Sequence, residues 1–424
     1  MNERWERIVR TAIVCGLCAI VLVFFRDNFV AHLRSPVRGP GVLWAASGML
    51  LLCFRTVLWF RYRAAPPATL ADAPAMTVII PAYNEGAMVL EAIESAAAAE
   101  YPHGRLQILV VDDGSTDDTW EHIGRAAGRR PGLVTAVRFP ENRGKRAALE
   151  AGFRRASGDV VVTIDSDSVI DRGALLSLAG VFRDPRVGAV AGKVSVYNRR
   201  SGLLPRMLHV HFVLSFDLLR AVQSVYGTVY CCPGALAAYR RAAVIEVLDE
   251  WKAQKFLGAP CTYGEDRALT NYLLDRGWDT LYQRSAVVHT IVPTTYWKLA
   301  KMYLRWDRSY IREELRFFRI VWKRPPLARA ASLFETVLTN LRFPIGYVSS
   351  YLWLGLVWND PILLTRLIAL GGMGTAFVLL FYLHSERSMD LVYGVLYACF
   401  SAVALFWNLP YAAFTARSRS WLTR

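Results

Sequence analysis

The sequence predicts an α/β domain with a Rossmann-like parallel sheet, inserted between membrane-spanning helices. Two observations carry this. Apolar residues, 54% of the 424, collect in two zones, 11–60 and 343–415, on either side of a more ordinary globular stretch, 75–290. Within that stretch, β-branched runs alternate with helix-length segments, the pattern of a parallel sheet covered by helices on both faces.

The apolar zones divide into five candidate spans: Thr11–Phe25, Gly41–Phe60, Phe343–Trp358, Leu367–Leu383 and Leu391–Thr415. A helix needs about 20 residues to cross a bilayer. The shorter runs therefore need their flanking Arg, Trp and Tyr in the headgroup layer. Arg55 interrupts the second run and must either snorkel or face protein. Arg4, Arg7 and Arg10 before the first run also fit a cleaved signal peptide. No small-x-small cleavage site precedes Arg26 and a second run follows quickly, so a retained span is expected.

The formal net charge is +15. Arg and Lys cluster beside the apolar runs, as cytoplasmic flanks do, so the expected partners include membrane lipids and no nucleic acid. Seven cysteines follow no zinc-ligand spacing. Four lie in apolar runs, and Cys231 and Cys232 are adjacent, which points to a reduced compartment for the globular part.

A Pro/Ala linker, "RYRAAPPATLADAPA", opens that part. "MTVIIPAY" reads as a strand ending in a turn, and "EGAMVLEAIESAAAA" as a helix. "LQILVVDDGS" is a second strand, "TDDTWEHIGRAAGR" a helix and "LVTAVRF" a third strand. "GKRAALEAGFRRA" is a helix and "DVVVTIDSD" a fourth strand. Ligands of such sheets bind at the carboxyl ends of the strands. Tyr83, Asn84 and Glu85 follow the first strand, Asp112 and Asp113 end the second, and Asp165 and Asp167 end the fourth. One Asp at a strand end is ordinarily a turn or a helix cap. Three strands delivering polar residues to one edge indicate a site.

Asp165 and Asp167, two residues apart, share a face. One can hold a divalent cation while the other hydrogen-bonds a sugar or ribose. Their mutual repulsion favours protonation unless a cation is present. Hard oxygen ligands suit Mg2+ or Mn2+, which also bind a substrate's phosphates. Lys145 and Arg146 open a helix after a Gly turn, where anions are attracted; a solvated basic helix start is the alternative. The stretch is not a P-loop, because the upstream Gly is missing.

"VIIPAYNE", "VVDDGSTDDT", "ENRGKRAALEAGF" and "VTIDSDSVI" resemble the opening half of a processive family-2 glycosyltransferase with the GT-A fold. "YGTVYCCPGALAAYRR", "FLGAPCTYGEDRALTNYLLDRG" and "YLRWDRSYIRE" continue the resemblance in order. The block resembles hyaluronan synthases and, almost as closely, rhizobial chitooligosaccharide synthases. The ending "YGVLYACF…LPYAAFTARSRSWLTR" also resembles the hyaluronan enzymes, with Leu422 where their final residues have Gly.

The resemblance implies roles. Asp113 is expected at the uridine, with Ala82, Tyr83 and Glu85 nearby. Asp165 is expected at the donor, where Lys145 is also expected from its place at a helix start, and Asp167 at the metal. Asp266 is the expected general base, Arg305 the partner of the diphosphate and Trp306 part of the acceptor site. The chemistry agrees. Transfer from a UDP-α-sugar to a β-linked product inverts the anomeric carbon, which needs a base on the acceptor side and a stabilised leaving diphosphate on the other. A flat Trp face stacks on a sugar ring at little entropy cost. Asp266 also reads as a helix-start charge, and Trp306 as an interfacial anchor.

Two departures stand out. Met302 replaces a family Gln three residues before the Arg. "GED" replaces the "GDD" frequent in hyaluronan synthases, and Glu265 is what the chitooligosaccharide enzymes show. The leading expectation is hyaluronan made from UDP-GlcNAc and UDP-GlcA, with the growing polysaccharide extruded through the chain's own membrane channel. The alternative is a chitooligosaccharide-type or other β-glycan synthase using one UDP-sugar. A non-catalytic membrane subunit is a further reading, supported by Met302 alone.

The expected organisation is 1–64 transmembrane, 65–75 linker, 76–295 GT-A domain, 296–330 interfacial amphipathic helices and 331–424 transmembrane. In the fourth segment apolar and basic residues alternate at helical spacing, which fits an interface-lying helix or one packed on the catalytic domain. Ser349, Ser350 and Asn408 are candidates to line a polymer path or to make helix–helix contacts. The chain is expected in the plasma (inner) membrane, multi-pass, with its catalytic domain cytoplasmic. Three C-terminal spans would place the basic "ARSRSWLTR" outside, so one run must be a hairpin or interfacial; Leu391–Thr415, with Gly394 and Pro410, is the candidate.

Overall fold

The computed structural model describes residues 3–26, 34–35, 37–359 and 361–418. In chain order the first elements are α1 (Glu3–Arg26), α2 (Gly39–Arg61), β1 (Met76–Ala82), α3 (Met88–Ala97), β2 (Leu106–Asp112), α4 (Thr119–Arg129), β3 (Val134–Arg138), α5 (Lys145–Arg155) and β4 (Val160–Ile164). There follow β5 (Ser168–Ile170), α6 (Ala174–Val181), β6 (Val187–Val196), α7 (Leu203–Val213), a π turn (Leu214–Leu218), α8 (Leu219–Val225), β7 (Leu236–Arg240) and α9 (Arg241–Lys252). The rest are β8 (Lys255–Phe256), β9 (Ala259–Pro260), α10 (Glu265–Asp275), β10 (Asp279–Thr290), α11 (Tyr296–Ile320), α12 (Pro326–Asn359), α13 (Ile362–Glu386), α14 (Leu391–Ala404) and α15 (Asn408–Thr415).

Two compact units result. One holds Tyr62–Pro325 and the chain from Ala402 onward; the other holds the residues up to Arg61 with Pro326–Ser401.

The first unit is built on an eight-stranded sheet of order β3-β2-β1-β4-β7-β6-β10-β5. β1 and β4 are buried along their whole length, so both faces are covered and their apolar runs are continuous. The four strands read from the sequence form the parallel half. The expectation of a wholly parallel sheet is corrected: β7 runs antiparallel to β4 and β6, and β5 antiparallel to β10. This reversal brings the start of β7 to the carboxyl end of β4, through the pair Ile164–Leu236.

α11 packs on α10 and α15 within this unit. Its Arg308 and Arg312 are buried: Arg308 Nε donates to Thr415 Oγ1 at 3.0 Å, and Arg312 Nη2 to Tyr263 O at 2.8 Å. One face of α11 therefore packs on the domain, where its guanidinium groups find carbonyl and hydroxyl partners. Asn408 Nδ2 donates to Ala300 O at 3.1 Å, so Asn408 makes a helix–helix contact here. The run Leu391–Thr415 is broken between α14 and α15, and α15 belongs to the first unit. The segment carrying Leu422 lies outside the described residues.

In the second unit α12 packs on α2, and α13 on α1. Arg55 faces protein: its Nε donates to Glu335 Oε1 at 3.0 Å and its Nη2 to Thr339 Oγ1 at 3.2 Å. Among the described residues, one helix, Gly39–Arg61, is long and apolar enough to cross a membrane, or two if α14 and α15 count as one bent span.

Candidate active site

Three segments converge where β4 ends. β4 stops at Ile164, and Asp165 leaves the sheet with Asp167 two residues on. Gly144, at φ 88°, turns the chain into α5, so Lys145 is the first helical residue. α10 starts after Gly264, which is left-handed at φ 75°, and this puts Glu265 and Asp266 in a first turn where the helix dipole favours carboxylates. A Cβ at Gly264 would overlap the Ser309 side chain of α11. Trp251 Nε1 donates to Glu265 O at 2.9 Å and fixes the start of α10.

The charges then interlock. Lys145 Nζ lies 2.5 Å from Asp165 Oδ1 and 3.1 Å from Glu265 Oε1. Burial works against the ammonium, but the two carboxylates outweigh it and hold Lys145 above its ordinary value. Glu265 is buried, a cost that Lys145 overrides, so its carboxyl stays below the usual range. Asp266 Oδ2 accepts the Gly234 N–H at 3.2 Å and lies 3.6 Å from Cys231 Sγ; Oδ1 accepts the Arg267 N–H at 2.7 Å. Burial and the neighbouring Glu265 push Asp266 up. Asp167 is also pushed up, by burial and by Asp165, although Ser168 and Thr290 donate to its Oδ1 at 3.1 and 3.3 Å. Lys145, Asp165, Glu265 and Asp266 line one shallow recess, with Gly234 in its wall.

The β1 and β2 ends adjoin it. The Asp113 N–H donates to Ala82 O at 2.8 Å. The Asn84 N–H donates to Ser115 Oγ at 3.0 Å and the Glu85 N–H to Thr119 Oγ1 at 2.9 Å, which ties Tyr83, Asn84 and Glu85 to the loop after Asp113. Asp112 is buried and pairs with Arg138 at 3.2 Å. Asp113 accepts the N–H groups of Arg143 and Gly144, both at 2.8 Å, one on each oxygen. It therefore holds the turn that presents Lys145, a role the sequence did not disclose.

On α11, the charge of Arg305 adds a little to the lowering of Glu265 that Lys145 dominates. Trp306 stands in an aromatic wall: Tyr303 edge-on at 5.5 Å, Phe212 at 6.1 Å and Phe216 at 6.4 Å. Met302 is buried, at a position where an amide would need a partner. Arg146 is structural. Its guanidinium donates to Trp251 O at 2.5 Å and to Gln254 Oε1 at 3.1 Å.

Asp165, Asp266 and Lys145 thus share one recess. Asp167 and Asp113 do not line it: Asp167 follows Asp165 by two residues, and Asp113 is linked to it through the 143–144 turn. Glu265 and Gly234 were missed as site residues. "GED" exposed Glu265 only as a departure from the family, and nothing local marks Gly234, whose role comes from the reversed strand β7.

The sheet and its rim define a glycosyltransferase of the GT-A fold. The fold is similar to that of a mannosyltransferase of Pyrobaculum calidifontis solved with GDP-Man and Mn2+, at a TM-score of 0.60 and 22% identity, covering 92% of this chain and 99% of that one. Residues 77–248 match the family described as glycosyl transferase family 2. An N-acetylglucosaminyltransferase of Azorhizobium caulinodans is 33% identical over 356 residues, 83% of this chain and 87% of its own length. The chain belongs to glycosyl transferase family 2. A Streptococcus pyogenes hyaluronan synthase is 36% identical over 268 residues, 62% of this chain and 63% of its own length. The chain spans 65% of the Rhizobium meliloti N-acetylglucosaminyltransferase, at 36% identity. These relatives weigh towards the single-donor alternative over the hyaluronan expectation.

Proposed function

We propose that the chain transfers N-acetylglucosamine from UDP-GlcNAc, with inversion, to the end of a growing β-linked oligosaccharide of the chitooligosaccharide type. The observation that carries this is the convergence of Lys145, Asp165, Glu265 and Asp266 on one recess. N-acetylglucosaminyltransferases among the relatives, and Glu265 in "GED", support the single donor.

Asp266 takes the proton of the acceptor hydroxyl as it attacks. Its raised proton affinity suits a base that works near neutral pH. Asp113, with Ala82, Tyr83 and Glu85, forms the uridine side, and Asp165 contacts the donor sugar. Lys145 and Arg305 face the diphosphate, and Trp306 stacks on the acceptor.

Among the described residues no group of three or more His, Cys, Asp or Glu forms a closed metal cage. Asp165 and Asp167 nonetheless fit Mg2+ or Mn2+ arriving on a diphosphate, since such ions need only one or two protein carboxylates. The raised proton affinity of Asp167 marks a carboxyl short of positive charge. When bound, the metal neutralises the leaving diphosphate.

A second reading, hyaluronan synthesis with UDP-GlcA as co-substrate, is favoured by the streptococcal relative. In either case α2 anchors the chain in the inner membrane, with the catalytic unit on the cytoplasmic side where nucleotide sugars are made. The test gives purified enzyme each donor alone and both together, then digests the product with chitinase and with hyaluronidase. Chitinase-sensitive product from UDP-GlcNAc alone is expected. Product only when both donors are present, sensitive to hyaluronidase, would replace this reading with the second.

A further inference from the structure

Asp307 follows Trp306 on α11. It is half-buried, yet among the described residues it makes no hydrogen bond and no ion pair. With no donor from the protein, such a carboxyl is left to water or to a ligand for its hydrogen bonds. Burial pushes its proton affinity up to about 7, offset only in part by Arg267.

Its surroundings say what it waits for. Helical spacing sets Tyr303, Asp307, Tyr310 and Glu314 along one stripe of α11. Tyr303 is the edge-on neighbour of Trp306. At the other end Arg267, the residue after Asp266, lies 3.5 Å from Glu314 and over the Tyr310 ring at 5.1 Å. Arg267 is thus already committed to Glu314 and Tyr310. His211 of α7, 6.1 Å from Tyr303, is half-buried, and desolvation depresses its affinity to about 4. The stripe therefore runs from the aromatic wall to the residue beside the base, with one unpaired carboxyl in its middle.

We propose that Asp307 reads the acceptor: its carboxyl group takes hydrogen bonds from the hydroxyl or acetamido N–H donors of the terminal pyranose stacked on Trp306, and it disfavours a uronate there. This rests on the reading of the chain as a glycosyltransferase whose acceptor sits at Trp306. A neutral sugar brings donors to an acceptor-only group, whereas a sugar carboxylate brings a second negative charge beside it. Asp307 is then a specificity device for neutral N-acetylhexosamine ends.

The test is binding, not turnover. Full-length enzyme loaded with UDP is titrated with a disaccharide ending in N-acetylglucosamine and with one ending in glucuronate at its non-reducing end. The wild type is expected to prefer the neutral ligand, and Asp307→Asn to shrink that preference by about tenfold, the scale of one hydrogen bond to a charged group. Preference for the neutral sugar should also weaken in the wild type as pH falls through about 7, while in Asp307→Asn it should not change. Unchanged discrimination in Asp307→Asn overturns the proposal, as does a wild type that binds both ligands equally. Asp307→Ser, smaller and uncharged, repeats the comparison if Asn disturbs packing, and UDP affinity verifies the fold of each variant. Absence of product from UDP-GlcNAc in the donor assay would count against the proposed reaction, while the ratio of the two binding constants judges Asp307 by itself.

Discussion

Lys145 Nζ sits 2.5 Å from Asp165 Oδ1, joining the first residue of α5 to the first residue past β4. The same ammonium reaches Glu265 at the head of α10. One cation thus ties together three elements distant in sequence. Lys145→Met leaves two carboxylates facing each other in a partly buried recess. Removing one partner of such a pair strands the rest of the charge, and partial exposure moderates the loss. A lower melting temperature and about tenfold weaker UDP binding by calorimetry are expected; unchanged UDP affinity would remove Lys145 from the donor site.

Asp167→Ala removes the carboxyl that burial and Asp165 leave short of positive charge. UDP affinity measured with and without Mn2+ should then coincide, whereas in the wild type Mn2+ should strengthen it. A metal-dependent gain that survives the substitution would place the ion elsewhere.

The base gives a pH signature. Asp266 must be ionised to accept a proton, and burial together with Glu265 raises its proton affinity. Activity should therefore fall on the acid side at a pH above the ordinary carboxylate range. Glu265→Gln deletes a negative neighbour and frees Lys145 towards Asp266, and both changes favour the ionised form. The acid limb of kcat/KM should move to lower pH in this variant. In Asp266→Asn turnover should drop by about 10²–10⁴-fold while UDP affinity persists. An acid limb that stays in place in Glu265→Gln would assign it to another group.

Gly264 tests the positioning. Its left-handed backbone disfavours a side chain, and a Cβ there runs into Ser309. Gly264→Ala must push α10 from α11 or unwind its first turn, which moves Asp266. A large loss of turnover with nearly unchanged UDP binding is expected. Gly264→Ala combined with Ser309→Gly relieves the clash but not the backbone strain, so it should recover only part of the loss.

How far the sequence discloses this site depends on where its information lies. β1, β2 and β4 were legible because each is a continuous β-branched run ending in Asp or a turn, and a parallel sheet buried on both faces demands that pattern. β7 was not. "LAAYR" has no such signature, and its place is fixed by pairing with strands far away in sequence. That pairing brings Gly234 to Asp266. Asp165 and Asp266 were legible as residue types in ordered motifs, but the ammonium joining Asp165 to Glu265 is a tertiary fact. α11 shows the reverse problem. Its periodicity was clear, yet periodicity does not say which surface a helix covers, and the packing on α10 and α15 that buries Arg308 and Arg312 is a tertiary fact. Asp307 carried no signal at all, since an Asp among the arginines of "LRWDRSYIRE" reads as ordinary surface charge.

Asp307 also gives a stability signature independent of any ligand. Its proton affinity in the folded chain is about 7, against about 4 for an unperturbed Asp. Below the lower value the group is protonated whether folded or not, and its stabilising share is complete. Between the two, the folded chain keeps a proton that the unfolded chain releases, so stability falls as pH rises, and the share is gone above the upper value. Asp307→Asn cannot titrate. The melting temperature of the variant relative to the wild type should therefore climb steadily from pH 4 to pH 8, and level off beyond. Other titrating groups are common to both proteins, so the difference between the two curves isolates this carboxyl. A flat difference across the range would mean that Asp307 is hydrated and ordinary, and that the acceptor is read by other side chains.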